Sequence, residues 1–299
     1  MNDITHKTST LREAKAEAMV VCNQETLCLV SEKKVPKGDP FEFAKAAAFL
    51  GAKKTDQLLP HCHPVTIDGM DIVFTQTAEG IHIEGTAKSI GRTGIEMEIL
   101  TGVTIAALTL YDMLKPLDKG LQITNIRLVE KKGGKTDREK YFQTPPACAL
   151  LICSEEIKNG TRKDLVSPLV SQLLAHYKIE QPSCLLVDNE PENIRRAILA
   201  LIEAGAKCVF TIGGTGLGTR DTTYEAIRSV IEKELDGIVD AMRAHAYARN
   251  PLAITSMLIA GNIGASVIVS LPGSEDGAKE CLEAILPTLF KVQKMLQKK

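Results

Sequence analysis

From residue 147 onward the chain repeats one arrangement, a short apolar run followed by a stretch of helical length and amphipathic pattern. ACALLIC (147–153) precedes a helix-like segment over 164–176, and CLLVD (184–188) precedes 192–204. KCVFTI (207–212) precedes a glycine loop and another helix, and SVIVSL (266–271) precedes Pro272-Gly273 and a last helix over 275–289. Short apolar runs separated by amphipathic helices predict βαβ units, because parallel strands need long crossovers and helices that cover the faces of the sheet. The expectation is a three-layer α/β domain with a mostly parallel sheet, which binds ligands at the carboxyl ends of its strands.

The first half carries no such repeat. Residues 15–30 have a β-rich end, and 40–59 read as an amphipathic helix opened by Pro40. Two strands, 70–75 and 81–87, flank a turn at Glu79-Gly80. A long helix over 94–115 and a strand over 121–130 follow. Helices mixed with antiparallel-looking strands predict an α+β domain, a ferredoxin-like layer. Charge, Gly-Gly and Pro-Pro at 131–146 mark a linker that runs to about residue 145. The domains are taken as 1–140 and 141–299.

Composition removes several classes of function. Basic and acidic residues are balanced, 36 against 37, and neither half has a basic excess, so no nucleic-acid partner is expected. No apolar run reaches about 18 residues and the first ten residues lack an apolar signal region, so neither membrane insertion nor secretion is expected. None of the 8 cysteines forms a CxxC pair. Free, buried thiols and a cytoplasmic location follow.

Residues 88–115 concentrate chemistry in the first half. A Gly-Arg-Thr-Gly turn leads to Glu96 and Glu98, then an apolar helix, then Tyr111-Asp112-Met113-Leu114-Lys115. In a continuous helix Glu96 and Asp112 stand about 24 Å apart along the axis and roughly 160° apart in phase. They cannot share a pocket within one chain, so either they serve different purposes or the site is built between two chains. Asp112 and Lys115 are neighbours at i and i+3, as an exposed ion pair or as a working acid and base. His61-Cys62-His63 could hold a metal, although in an extended run His61 and His63 would share a face while Cys62 points away, and no second ligand pair of suitable spacing exists. A histidine that carries protons or binds anions is favoured. Lys37, Lys53, Lys54, Lys131 and Lys135, with Arg12, are either a solvated surface set or ammonium groups aimed at phosphate. Leu11, Met19, Phe49 and Leu50 read as core.

LREAKAEA (11–18), PKGDPFEFAKAAAFLGAKKTDQLLPHCHP (36–64), GRTGIEMEILTGVTIAALTLYDMLKPLDKG (91–120) and IRLVEKKGGKT (126–136) closely resemble cyclic pyranopterin monophosphate synthase, across residues 4–137. The resemblance implies conversion of a cyclised dihydro-GTP to cyclic pyranopterin monophosphate with loss of pyrophosphate, without a tightly bound cofactor. It implies that Asp112 and Lys115 are the catalytic pair. Arg12, Lys37, Lys53, His63, Glu96 and Lys131 would line the pocket, and His61, Cys62, Met97 and Glu98 would contact substrate. It also implies a site between subunits of a hexamer.

In the second half, Thr211 to Asp221 form a glycine loop after an apolar strand. Such a loop can turn backbone N–H groups toward a phosphate, although it fits neither the P-loop nor the GxGxxG pattern. Thr222 and Glu225 suggest a capping box, beside which Asp221 could be helix-start charge. Asp188 ends a strand inside VDNEPENI, where it would either face the loop and hold Mg²⁺ with nucleotide phosphate or make an Asx turn. GGTGLGTRDTTYEAI (213–227) and LPGSEDGAKECLEAILPTL (271–289) resemble the molybdopterin adenylyltransferase family over residues 147–295. The resemblance implies transfer of AMP from Mg-ATP to molybdopterin. Asp188 and Asp221 would be its acidic catalytic and metal-holding positions. Ser154, Gly213, Gly214, Thr215, Gly216, Pro272 and Gly273 would shape the cleft. The chain departs from the family at Glu155-Glu156 (usually Asp-Arg), at Asp164 to Pro168, at Thr223-Tyr224 and at Met257. A binding or assembly module without catalysis is the alternative for this half. Both resemblances imply trimer-based homo-oligomers, with other molybdenum cofactor biosynthesis proteins as possible partners.

Overall fold

The computed structural model describes residues 1–134, 136–141 and 143–297. It divides into two units, Met1–Asp137 and Arg138–Lys299. Lys135 lies outside the described residues.

In the first unit the chain runs β1 (Thr10–Val21), α1 (Gln24–Ser31), α2 (Pro40–Ala52), α3 (Thr55–Leu58), β2 (Gly69–Thr77), β3 (Gly80–Gly91), α4 (Glu96–Leu114) and β4 (Gln122–Lys132). The sheet order is β2-β3-β1-β4 with every pair antiparallel, the order of a ferredoxin-like layer. Side chains alternate along β1, so Arg12, Ala14, Ala16, Ala18 and Val20 are buried on the face that packs beneath the helices. Leu11 is on the other face and 54% exposed, and Leu50 on the outer side of α2 is 57% exposed, so neither belongs to the core. The small side chains of β1 and Gly85 let α4 lie close. A Cβ at Gly85 would meet Ile99 Cδ1 and Val103 Cγ1 at 2.7 Å. Ile99, Val103, Ala106, Leu110 and Leu114 recur at helical spacing on the buried stripe of α4. Fully burying each large one of these contributes about 1.5–3 kcal/mol. By length and composition α4 could cross a membrane, contrary to the sequence expectation, but half of its apolar window is packed inside this unit.

Local signals account for the boundaries. Asn23 accepts from Thr26 N and starts a helix in the region expected to end as strand. Asp39 accepts from Phe41 N and Glu42 N ahead of Pro40. The expected 40–59 helix breaks at Lys53-Lys54 into α2 and α3.

The second unit contains β5 (Cys148–Cys153), α5 (Glu155–Lys158), α6 (Val166–Ala175), β6 (Ser183–Val187), α7 (Pro191–Glu203), β7 (Cys208–Ile212), α8 (Thr223–Arg228), β8 (Lys233–Glu234), α9 (Asp236–Tyr247), β9 (Ala260–Ile263), β10 (Ser266–Leu271), α10 (Glu275–Ile285) and α11 (Thr288–Leu296). The order is β6-β5-β7-β10-β9-β8. The first four strands are parallel, while β9 and β8 add an antiparallel edge. Apolar clusters on both faces make three layers, with Phe210 of β7 in one and Val209 in the other. The expected last helix is two helices, α10 and α11, separated at Leu286-Pro287. Cys28 and Cys184 are exposed rather than buried, and all eight cysteines are free.

Candidate functional site

In the first unit the candidate residues gather at the two ends of α4. At its C-terminal end Asp112 takes Lys115 Nζ on Oδ1 at 2.7 Å and Lys37 Nζ on Oδ2 at 2.9 Å. Lys37 also donates to Asp112 O at 2.6 Å. Hydrogen bonds from Lys115 and then from Lys37 hold the Asp112 carboxyl down at about 2, and the same bond raises Lys115. The loop before α2 supplies Lys37, a partner that spacing could not have named, since 75 residues separate it from Asp112. The pair read at i and i+3 is therefore a three-membered cluster, open to solvent.

The other end of α4 is built differently. Lys131 of β4 reaches Glu96 Oε1 at 3.4 Å. The Glu96 side chain folds over Gly94, where a Cβ would stand 1.8 Å from Oε2, so the second glycine of the turn leaves room for it. Arg12 is only 7% exposed and donates to Gly91 O and Arg92 O, each at 3.2 Å, which fixes the Gly-Arg-Thr-Gly turn from beneath. Glu98 is 4% exposed, and its Oε2 has no hydrogen-bond partner among the described residues. Burial raises its pKa, and the charges of Glu96 and Asp56 add to the shift. Cys62 is raised by burial and by Glu98, Asp56 and Glu96, which brings the segment after α3 into this group. His63 Nε2 lies 2.8 Å from Asn2 O. Met97 is 38% exposed, while Lys53 and His61 are exposed. Among the described residues no group of three or more His, Cys, Asp or Glu could hold a metal.

In the second unit a cavity of about 860 Å³ opens at the carboxyl ends of β5, β7 and β10. Ser154, Gly213, Gly214, Thr215, Gly216, Asp221, Pro272 and Gly273 all line it. The glycines are required by geometry. Gly213 has φ +92°, and a Cβ there would stand 2.8 Å from Cys153 O. Gly214 has φ +63° and lies against Thr223 Oγ1. Thr223 donates to Gly213 O at 2.9 Å and its N–H donates to Gly214 O at 3.1 Å, which ties the loop to the start of α8. Asp221 Oδ2 accepts from Gly218 N at 3.1 Å. The expected capping box is not formed. Thr222 makes no cap bond and instead donates its hydroxyl to Asn189 O.

Asp188 does not line the cavity, although Asn189 does. Lys158 Nζ lies 2.7 Å from Asp188 Oδ2, and Asn193 Nδ2 donates to Oδ1 at 2.7 Å. Glu190 N also donates to Oδ1, at 3.4 Å, the Asx-turn alternative. Bonds from Lys158 and then Asn193 hold Asp188 down at about 2. Mg²⁺ on a nucleotide needs only one or two carboxylates beside the phosphates. Asp221, on the cavity wall, fits that role. Asp188 lies outside the lining, with both oxygens engaged. The sequence reading missed Arg162, Lys163, Asn189 and Arg220, all on the cavity wall, which Asp164 of the departures also lines. The Arg162-Lys163 pair was the available signal. Glu155 and Glu156, the departures noted above, line the cavity too.

Residues 1–134 match the MoaC family, and residues 149–291 match the family described as probable molybdopterin binding domain. A molybdenum cofactor biosynthesis bifunctional protein from Chlorobaculum tepidum is 35% identical over 99% of this chain and 94% of its own length. One of the same description from Synechococcus elongatus is 33% identical over 97% of this chain and 95% of its own length. The chain belongs to this family of bifunctional molybdenum cofactor biosynthesis proteins, an enzyme domain fused to a second domain. A cyclic pyranopterin monophosphate synthase from Peptoclostridium acidaminophilum is 45% identical over 46% of this chain and 87% of its own length. The solved molybdopterin biosynthesis enzyme MoaB from Thermus thermophilus is 34% identical, with 51% of this chain and 96% of that one covered at a TM-score of 0.48.

Proposed function

We propose that the first unit converts 3',8-cyclo-7,8-dihydro-GTP to cyclic pyranopterin monophosphate and pyrophosphate. The observation that carries this reading is the Asp112 carboxylate held between two ammonium groups, Lys115 and Lys37. A carboxyl held at about 2 is a weak base in the resting site. Lys115 is held charged by the same bond, and the two act together as the acid and base of the reaction. A triphosphate substrate needs cations, and Lys37, Lys53, Arg12 and Lys131 supply them for the closure of the cyclic phosphate that expels pyrophosphate. Glu96, Glu98, Met97, His61, Cys62 and His63 contact the pterin-forming end. Because Asp112, Lys115 and Lys37 sit at one end of α4 and Glu96, Glu98, Lys131 and Arg12 at the other, the working site pairs the Asp112 end of one chain with the Glu96 end of another in a homo-oligomer.

For the second unit we propose adenylylation of molybdopterin with Mg-ATP in the cavity after β5, β7 and β10. The glycine loop offers backbone N–H groups for phosphate, while Arg162, Lys163 and Arg220 on the cavity wall bring positive charge. The ion, when bound on Asp221, would neutralise the phosphates between which AMP is cut. A second reading, a pterin-binding module without transfer, is favoured by Glu155 and Glu156 on the cavity wall and by the engagement of Asp188. Incubation of the purified chain with each substrate set, read by mass spectrometry, separates the readings. Cyclic pyranopterin monophosphate is expected from the first. Adenylylated molybdopterin, lost in Asp221→Ala, is expected from the second. Its absence, under conditions where an established adenylyltransferase succeeds, leaves the module.

A further inference from the structure

β3 and β4 flank β1 and both run against it, so both end beside its first residues, where Arg12 stands. The Arg12 guanidinium donates from Nε to Gly91 O and from Nη2 to Arg92 O, and a Cβ at Gly134 would lie 3.6 Å from Nη1. The Gly91–Gly94 turn that ends β3 and the Gly133-Gly134 loop that follows β4 thus close around one buried positive charge. Ser89, paired with Arg12 across the sheet, is buried, and its hydroxyl has no hydrogen-bond partner among the described residues. Arg92 is the outermost cation of this group. Of the three arginines in the first unit, Arg12 holds the turn and Arg127 meets Glu17 at 2.6 Å. Arg92 is exposed, and no carboxylate meets its guanidinium among the described residues. Glu96, the nearest acid along the chain, goes to Lys131 instead.

We propose that Arg92 is a further substrate-binding residue of the first unit, taking the terminal phosphate of the cyclised triphosphate in its guanidinium fork. This rests on the reading of that unit as a synthase that expels pyrophosphate. The Arg92 backbone is pinned through its own carbonyl, so less ordering remains when the side chain engages an anion. A planar fork with no acid to release can bind phosphate through two parallel hydrogen bonds without first breaking an ion pair. The buried charge of Arg12 beneath the turn favours an anion above it. Arg12 spends donors on the turn and Lys131 is shared with Glu96. Arg92, the furthest out, meets the phosphate furthest from the bond that breaks.

The test uses the full chain, with turnover measured against substrate concentration and inorganic pyrophosphate as the inhibitor. Arg92→Gln is expected to raise KM and the pyrophosphate inhibition constant together, each by about tenfold, and to change kcat by less than about threefold. The split follows because charge on the terminal phosphate changes little as the bond to the first phosphate breaks. Arg92→Lys keeps the charge without the fork and is expected to recover part of both losses. Arg127→Gln, which removes the arginine paired with Glu17, is expected to match the parent in all three constants. Parental KM and a parental inhibition constant in Arg92→Gln overturn the proposal. A loss confined to kcat also overturns it, since Arg92 would then serve the shape of the turn or the reacting phosphate. A parent chain that forms no cyclic pyranopterin monophosphate defeats the synthase reading. Calorimetric titration of pyrophosphate into the parent and Arg92→Gln then decides the role of Arg92 alone, because the second unit contributes equally to both chains. Weaker binding in the variant supports an anion site at Arg92, and equal binding overturns it. Circular dichroism of each variant controls for folding.

Discussion

The two units solve the problem of gathering charge in opposite ways. The first spreads its candidate residues to both ends of a single 19-residue helix, where no pocket of one chain can hold them together. The second collects loops from the ends of several parallel strands around one cavity. The difference follows from topology. In an antiparallel sheet covered by helices on one face, neighbouring loops run to opposite ends, so chemistry brought by a long helix is split. In a parallel sheet every strand delivers its following loop to the same edge. On the function proposed above, one unit calls for a second copy to complete its site, and the other does not.

The sharpest break in that comparison is loss of the Asp112 cluster. Asp112→Ala and Lys115→Ala are each expected to lower formation of cyclic pyranopterin monophosphate by about a thousandfold, while molybdopterin binding by the second unit stays at the parental level. The cluster is solvent-exposed, so circular dichroism should show an intact fold. Near-parental turnover in either variant would refute the assignment. Next in size is Gly213→Ala. It places a side chain at φ +92° and 2.8 Å from Cys153 O, so about 1–3 kcal/mol of strain is expected. Urea unfolding should show the loss, and molybdopterin affinity should fall, with synthase turnover unchanged.

The smallest effect is on acid stability, and it should appear in both units. The pKa values of Asp112 and Asp188 are depressed to about 2 in the folded chain. An unfolded aspartate titrates near about 3.9, so the unfolded chain binds these protons first as pH falls. The contribution of both groups to stability is full above about pH 4 and is lost as pH drops toward about 2. Asp112→Asn and Asp188→Asn should each flatten the stability curve in that window and lower stability at neutral pH, where the parent has the full contribution. A steeper curve in either variant would contradict the assigned partners.

Much of the fold was legible because it rests on periodicity. Alternation along β1, the 3.6-residue stripe of α4 and the β-run-then-helix rhythm of the second unit are all local patterns. The antiparallel edge of β8 and β9 was not legible, since two strands of two and four residues carry too little pattern. Residues 24–31 turned helical through the Asn23 cap, against the β character of Val20 and Val21 beside it. Leu11 and Leu50 were misread as core because apolar type was weighed above phase. At the sites, residue types and motifs led to residues that the fold gathers at the ends of α4 and along the cavity wall, and the helix arithmetic separated Glu96 from Asp112. Partners distant in sequence were invisible. Lys37 and Asp112, Lys131 and Glu96, and Lys158 and Asp188 meet only because loops from different elements converge.

The central claim, that the first unit divides its site between the two ends of α4, is tested most directly by mixing two inactive chains. Asp112→Ala keeps an intact Glu96 end, and Glu96→Ala keeps an intact Asp112 end. The two are unfolded together, refolded and assayed for cyclic pyranopterin monophosphate. The account predicts activity well above the sum of the separate variants, because some pairings join two intact ends. No recovery, in mixtures that native mass spectrometry shows to contain both chains in one assembly, would mean that each chain works alone and would contradict it.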